Sequence, residues 1–316
     1  MKEDNIKTLY DPKNGDRWKK YKKAADIIGY AVRQSRLDSK LKERAALISK
    51  CATNLQFAES SITGHRRIKK ANFCRQRLCP MCQWRLAERR RINFLKIIEN
   101  LTSSNFLFVT FTVRNCTSEE IRETIYLLLE SFYKFYRNKL KKNNKKGFCN
   151  GYYRSVEITY NRKNNTYHPH MHVVLAVDSS YFNQNYMKKS EWRRQWQKYL
   201  GVDYLPQIEA EKVEGRKEGL ANEVCKYVTK PNTYINADDL DLTAEQFELL
   251  DRQLRGIKMV SSSGVFAEAA RKLKLEDDMG SADLIFESIT DDNTDEWKRY
   301  WYFFNDSTKE YIRYIS

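Results

Sequence analysis

Three of the four histidines in this 316-residue chain stand at alternate positions in His168-Pro169-His170-Met171-His172. The apolar run that follows, Val173 to Val177, predicts an extended backbone, on which successive side chains alternate faces. His168, His170 and His172 then point one way, and Met171, Val173, Leu175 and Val177 point the other way into a core. Two imidazoles two residues apart on a rigid strand can grip one divalent ion. Chance clustering explains three histidines on one strand face poorly when only one stands elsewhere. A carboxylate completes such a site, and Glu157 on the preceding strand is the candidate. His168 is open to several roles: a third nitrogen ligand, support for a ligand, or a contact to substrate. Mg²⁺ prefers oxygen ligands, whereas imidazole suits Mn²⁺ and later metals. An ion with open positions is a Lewis acid for a phosphodiester oxygen.

A second group is Cys74-Arg75-Gln76-Arg77-Leu78-Cys79-Pro80-Met81-Cys82. The two-residue spacer between Cys79 and Cys82 lets both thiolates reach one tetrahedral Zn²⁺. Cys74 supplies a third ligand. Cys51 is the choice for the fourth, with His65 as runner-up. A closed site of this kind is structural and ties down a segment with little core of its own. Arg75, Arg77, Arg85, Arg89, Arg90 and Arg91 suggest that the same segment meets nucleic-acid phosphates.

The third group is Glu223-Val224-Cys225-Lys226-Tyr227, where the spacing puts Glu223 and Tyr227 on one helix face. A tyrosine hydroxyl can attack a phosphodiester and form a phosphotyrosyl link. A carboxylate one turn away can act as general base for water or a 3′-hydroxyl. In a chain with 20 tyrosines such a pair is ordinarily packing, so it gains meaning only beside the other two groups.

The elements that must position these groups are legible in part. Residues 1–50 read as basic helix, residues 51–82 show little periodicity, and a helix is expected from about Gln83 to Leu101. Phe106 to Val113 is a β run, with Thr110 and Thr112 on one face. Thr117-Ser118-Glu119-Glu120 has the form of a capping box before a helix whose stripe runs from Ile121 to Leu140. Lys139 to Lys146 reads as a basic loop. Tyr152 to Tyr160 and Tyr167 to Val177 form a hairpin about a turn-rich connection. Ser190 is expected to cap a helix ending near Gly201, and an extended segment runs from Gln207 to Val213. A helix over Lys217 to Lys230 should stop at Pro231. Thr243-Ala244-Glu245-Gln246 is a second capping-box candidate, with Gly256 closing that helix.

Lys and Arg number 57 against 41 Asp and Glu, a net charge of +16. An anionic partner, nucleic acid first, follows from that excess. The excess is uneven, because Glu276 to Glu296 is acidic and holds no Lys or Arg. The first residues have no apolar h-region, so no signal peptide is expected. No apolar run approaches the ~20 residues of a membrane span. A cytoplasmic protein without a membrane is expected, and its seven cysteines then favour metal binding over a disulfide framework.

The order of these motifs resembles that of HUH endonucleases: a β run, then His-hydrophobic-His, then a helix with one tyrosine followed by Lys-Pro. It is most similar to the replication initiator (Rep) proteins of Gram-positive rolling-circle plasmids. Cys51 to Phe57, Asn72 to Arg85 and Arg255 to Phe266 carry the same resemblance. The resemblance implies an α+β fold with a five-stranded antiparallel sheet flanked by helices, behind an N-terminal zinc-binding segment. Three regions are expected: 1–104 basic, helical and zinc-binding; 105–235 the nickase core; 236–316 a helical and strand extension. It implies a divalent ion, Mn²⁺ or Mg²⁺, on His170, His172 and an acid, with Glu157 assigned by its place in the hairpin. Tyr227 would nick one strand at the double-strand origin and become joined to the 5′-phosphate. Glu223 would activate water to end the round. Plasmid origin DNA, host helicase and polymerase, and a second copy of the chain are the expected partners. A mobilisation relaxase or single-strand transposase would share the site, though the lone tyrosine paired with Glu223 favours the initiator. A zinc-bearing DNA-binding regulator without catalysis would fit the charge and the cysteines but not the histidine strand.

Overall fold

The computed structural model describes residues 8–11, 14–102, 104–142, 147–183, 186–215, 217–225, 231–275, 284–286 and 297–313. In chain order the described elements begin with α1 (Arg17–Gln34), α2 (Ser39–Ser49), β1 (Asn54–Ser60), β2 (Arg66–Ala71) and α3 (Pro80–Asn100). They continue through β3 (Asn105–Thr112), α4 (Ile121–Phe135) with a π-helical turn at Tyr136–Leu140, β4 (Cys149–Asn161), β5 (Thr166–Val177) and α5 (Lys189–Leu200). They close with β6 (Ile208–Lys212), α6 (Lys217–Val224), α7 (Pro231–Tyr234), α8 (Leu240–Leu254), β7 (Val260–Gly264), α9 (Val265–Lys272), β8 (Trp297–Asn305) and β9 (Glu310–Arg313). No described helix is long and apolar enough to cross a membrane.

The chain divides into two compact units. One draws on Met1–Arg89, Tyr234–Asp251 and Ala282–Ser316, the other on Arg90–Thr233 and Arg252–Ser281. The first is built on a four-stranded antiparallel sheet in the order β2-β1-β8-β9. α1 buries Trp18, Ala25, Ile28 and Val32, a stripe at helical spacing. Trp18 sets its ring edge against Phe57 at 5.4 Å and Trp84 at 4.8 Å, and Phe57 continues to Tyr302. α1 packs on α2, whose start is capped by the Asp38 carboxylate accepting from the Leu41 amide at 2.9 Å. At that crossing Gly29 lies so close to Ser49 that a Cβ would overlap it.

The second unit holds a five-stranded antiparallel sheet in the order β6-β3-β5-β4-β7. This is the α+β architecture the resemblance implied. One face carries the row Phe111, Met171 and Val156. Phe111 is fully buried among Phe132, Phe135, Trp192 and Trp196, with ring centroids 4.8–6.2 Å away. These aromatics come from the inner stripes of α4 and α5 and seal that face.

The opposite face changes character along its length. Phe108, Val174 and Tyr153 form one row; the next is Thr110, His172 and Ser155; then come Thr112, His170 and Glu157. Phe94 and Phe266 pack on Tyr153 at the apolar end. The polar end is left for chemistry.

Several local expectations change. Residues 51–82 hold the β1–β2 hairpin, hidden in the sequence because its strands are short and rich in polar residues. α3 starts at Pro80, which suits the first helical turn, where its missing N–H costs nothing. The Glu120 carboxylate reaches back to the Thr117 amide at 2.9 Å, as a capping box requires, but the Thr117 hydroxyl donates to the same carboxylate at 2.8 Å instead of accepting from the helix. Thr243 is not a cap: Asp239 accepts from the Leu242 amide, and the Thr243 hydroxyl lies inside α8, donating to the Asn236 carbonyl. Ser190 falls inside α5, which begins at Lys189 and ends at a left-handed Gly201 with φ 70°. α6 ends at Val224, residues 226–230 lie outside the described residues, and Pro231 opens a new helical turn.

Candidate active site

β4 and β5 pair so that Glu157 stands directly opposite His170, and Ser155 opposite His172. The Glu157 Oε2 lies 3.4 Å from His170 Nε2 and 3.3 Å from His172 Nε2. All three ligand atoms fall within 4.8 Å of one another. The Glu157 side chain is 4% exposed, that of His170 13% and that of His172 10%, so the cluster is sheltered but reachable.

The ring orientations are fixed from behind. His170 Nδ1 is 3.2 Å from the His168 carbonyl, which can only accept, so Nδ1 donates there and Nε2 is the ring nitrogen turned to Glu157. His172 Nδ1 is 3.2 Å from the Thr110 hydroxyl, which can accept in the same way. Phe108 stacks on the His172 ring at 5.6 Å, nearly parallel. Two imidazole lone pairs and a carboxylate converging on one point repel one another unless a cation or proton sits among them. A divalent ion fits this donor set, because backing by carbonyl or hydroxyl is how ligating histidines are usually held.

His168 is not part of this trio, although its ring lies 5.3 Å from that of His170. Burial, and then the nearby His170, pushes its imidazole below the usual range. Glu223 lies on α6, which packs against β4 and β5, the strands that carry the cluster. Leu220, Ala221 and Val224 fix α6 in place by burial. Tyr227 lies outside the described residues. Thr110 was visible in the sequence only as a threonine sharing a face with Thr112; its place behind His172 follows from the β3–β5 register.

The cysteines form a second cluster. Cys51 follows α2, Cys74 follows β2, and Cys79 and Cys82 flank the start of α3. Their four sulfurs lie within 4.8 Å of one another and no disulfide joins them. Cys82 Sγ is 3.5 Å from Cys51 Sγ and 3.8 Å from Cys74 Sγ. A tetrahedron with ~2.3 Å metal–sulfur bonds has edges of ~3.8 Å, so these separations suit Zn²⁺. The Cys74 amide donates to Cys51 Sγ and the Arg75 amide to Cys82 Sγ, bonds that favour thiolate. Hydrogen bonds from Cys51, Cys79 and Cys82 pull the Cys74 thiol far below its ordinary range, while burial pushes Cys79 well above it. Tyr311 and Tyr234 brace the surroundings by donating to the Ala52 and Leu78 carbonyls. His65 is exposed on the β1–β2 turn, away from this cluster.

The arginines near the cysteines are less available than their number suggests. Arg85 is buried, donates to the Leu284 carbonyl at 3.1 Å and lies over the Trp18 ring. Arg90 is buried too, whereas Arg75 is exposed.

A family model described as a replication protein matches residues 65–312. A "Protein rep" of Streptococcus pneumoniae serotype 2 is 32% identical over 263 residues, covering 80% of this chain and 78% of that relative. A "Protein rep" of Bacillus amyloliquefaciens is 30% identical over 287 residues, covering 83% and 84%. One from Lactiplantibacillus plantarum is 34% identical over 249 residues, covering 74% and 76%. No solved structure matches the chain. The chain belongs to the replication protein family, the class of plasmid replication initiators that its motifs resemble.

Proposed function

We propose that this protein starts rolling-circle replication by nicking one strand of the plasmid origin and holding the cut end. The observation that carries the reading is the meeting of Glu157, His170 and His172 at the polar end of one sheet face. Tyr227 is the nucleophile. Its oxygen bonds to the scissile phosphorus, the bond from phosphorus to the 3′ oxygen breaks, and the phenol proton passes to the departing 3′-hydroxyl. The products are a 5′-phosphotyrosyl link and a 3′ end that a host polymerase extends behind a helicase. Glu223, four residues before Tyr227, takes a proton from the water that later hydrolyses the link, which releases the strand and restores the tyrosine. Glu157, His170 and His172 would hold Mn²⁺ or Mg²⁺, which would supply a Lewis acid for a phosphodiester oxygen. Cys51, Cys74, Cys79 and Cys82 would hold Zn²⁺ in a structural role. The protein acts in the cytoplasm, on origin DNA, alone or as a homodimer.

The test mixes the purified protein and Mn²⁺ with supercoiled DNA carrying its own gene and flanking sequence, beside Tyr227→Phe. Open-circular product and a protease-sensitive adduct, both lost in the variant, are expected. Retarded but intact DNA, unchanged by the substitution, would replace the nickase with a zinc-bearing binding protein.

A further inference from the structure

The pairing of β3 with β5 is interrupted just past the metal ligands. Thr112 pairs with His170, and farther on Cys116 pairs with Tyr167 through two backbone hydrogen bonds of 2.8 and 2.9 Å. Residues 113–115 stand between these pairs on one side, and only 168 and 169 on the other. The extra residue marks a β-bulge, a device that re-aims side chains beside active sites. Arg114 sits in it, exposed, opposite the stretch that leads into His170. Tyr204 holds it in two ways. The Arg114 backbone N–H donates to the Tyr204 hydroxyl at 2.9 Å, and the guanidinium lies over the Tyr204 ring, 4.0 Å from its centroid. Tyr204 belongs to the loop between α5 and β6, which is tied to β3 where the Thr112 hydroxyl donates to the Gln207 carbonyl at 2.7 Å. Among the described residues no carboxylate pairs with Arg114.

A guanidinium already held over a ring loses less freedom when it binds, and its fork of N–H donors matches two oxygens of a phosphodiester. An ion pair inside the fold would explain such an arginine, but Arg114 has none. We propose that Arg114, braced by Tyr204, grips a phosphate next to the scissile one and so seats the DNA strand across Glu157, His170 and His172. The proposal rests on the nickase reading for the identity of the strand, and it adds a substrate contact that neither the histidine strand nor the Tyr227 segment supplies. The contact lies away from the bond that breaks and is made before and during the transition state alike. Its loss should therefore raise the DNA concentration needed and leave the maximal rate nearly unchanged.

The experiment has two arms, both with the full-length protein. The first follows nicking of supercoiled DNA carrying the protein's own gene, with Mn²⁺, over a range of DNA concentrations. The second measures fluorescence anisotropy of a labelled oligothymidine without divalent ion, since a phosphate contact carries no sequence information. Arg114→Ala should raise the half-saturating DNA concentration by about 10-fold in both arms, with little change in maximal nicking rate. It should also flatten the salt dependence of oligothymidine binding by roughly 0.7, the share of one single-strand phosphate contact. Arg114→Lys keeps the charge and should restore the salt dependence but only part of the affinity. Tyr204→Ala, which removes the brace and leaves the charge, should weaken binding less than Arg114→Ala and keep the salt dependence. Thermal melts check that each variant is folded. Wild-type affinity and salt dependence in Arg114→Ala would overturn the proposal. Weaker binding with an unchanged salt dependence would overturn it too, since Arg114 would then only support the loop. If the wild type does not nick, the nickase reading fails, and the oligothymidine arm still decides whether Arg114 holds a phosphate.

Discussion

Glu157 and His170 face each other across the β4–β5 ladder, with carboxylate and imidazole 3.4 Å apart. This relationship depends on register, because a slip of one residue would turn Glu157 into the aromatic core and bring Val156 or Ile158 to the histidines. Apolar residues on the other face of the hairpin, Met171 opposite Val156 among them, hold the register.

Glu157→Gln keeps the shape of the site and removes its charge. The Mn²⁺ concentration for half-maximal nicking should rise by about 10-fold or more, since even supporting groups around a metal cost that much when lost. A metal titration of nicking activity measures it, and an unchanged midpoint would remove Glu157 from the site.

Tyr227→Phe should reduce nicking of supercoiled origin DNA to background. Glu223→Ala should leave the nick and slow hydrolytic release, so that the covalent protein–DNA adduct accumulates. Denaturing gels of the reaction over time separate the two effects. A wild-type rate in Tyr227→Phe would mean that another group attacks.

The cysteine cluster predicts one tightly held Zn²⁺ per chain. Cys79→Ser, or treatment with a strong chelator, should lower the thermal midpoint by several degrees, because metal binding at such a site is folding free energy. Elemental analysis beside differential scanning calorimetry checks both parts, and a metal-free protein of unchanged stability would contradict them.

Glu120 titrates below its ordinary 4.5 because the Thr117 amide and hydroxyl bond its carboxylate. A lowered folded value stabilises the protein above the ordinary one and loses that effect as pH falls through the folded one. Wild type should therefore be more stable than Glu120→Gln near neutrality, and the difference should close below about pH 4. Thermal melts of both proteins across this range give the comparison, and a gap that widens in acid would reverse the sign.

Phe111→Ala should cost about 3–5 kcal/mol, the usual range for emptying a buried aromatic site. The ring is fully buried against α4 and α5, so little can collapse into the gap. Urea denaturation measures the loss, and a cost under about 1 kcal/mol would mean that the helices close on the cavity.

The three central strands of the sheet that carries the site, β3, β5 and β4, were easy to read because they are long and largely apolar, with a turn-rich connection at Asn161 to Thr166, whereas β7 is five residues of mostly serine and gave no strand pattern. The β1–β2 hairpin was not easy to read either, since Arg66 to Ala71 alternates weakly and β8, the other partner of β1, lies more than 200 residues away. Thr243 misled for a related reason. A capping motif is a local pattern, and which of two nearby side chains caps α8 depended on where the chain entered it, with Asp239 taking the place. Arg85 looked like a phosphate contact and is instead buried over the Trp18 ring, donating to the Leu284 carbonyl, because composition counts charges without locating them.

By itself the sequence determined which side chains can do chemistry here and how strand alternation groups them: His170 with His172, and Cys79 with Cys82. Those facts live within a few residues of chain, where backbone geometry alone sets direction. Tertiary structure decided what those groups meet. It brought Glu157 and Thr110 to the histidines, Cys51 to the other three thiols, and β8 to β1. Such meetings join distant segments through ladder register and core packing, which a local pattern does not specify.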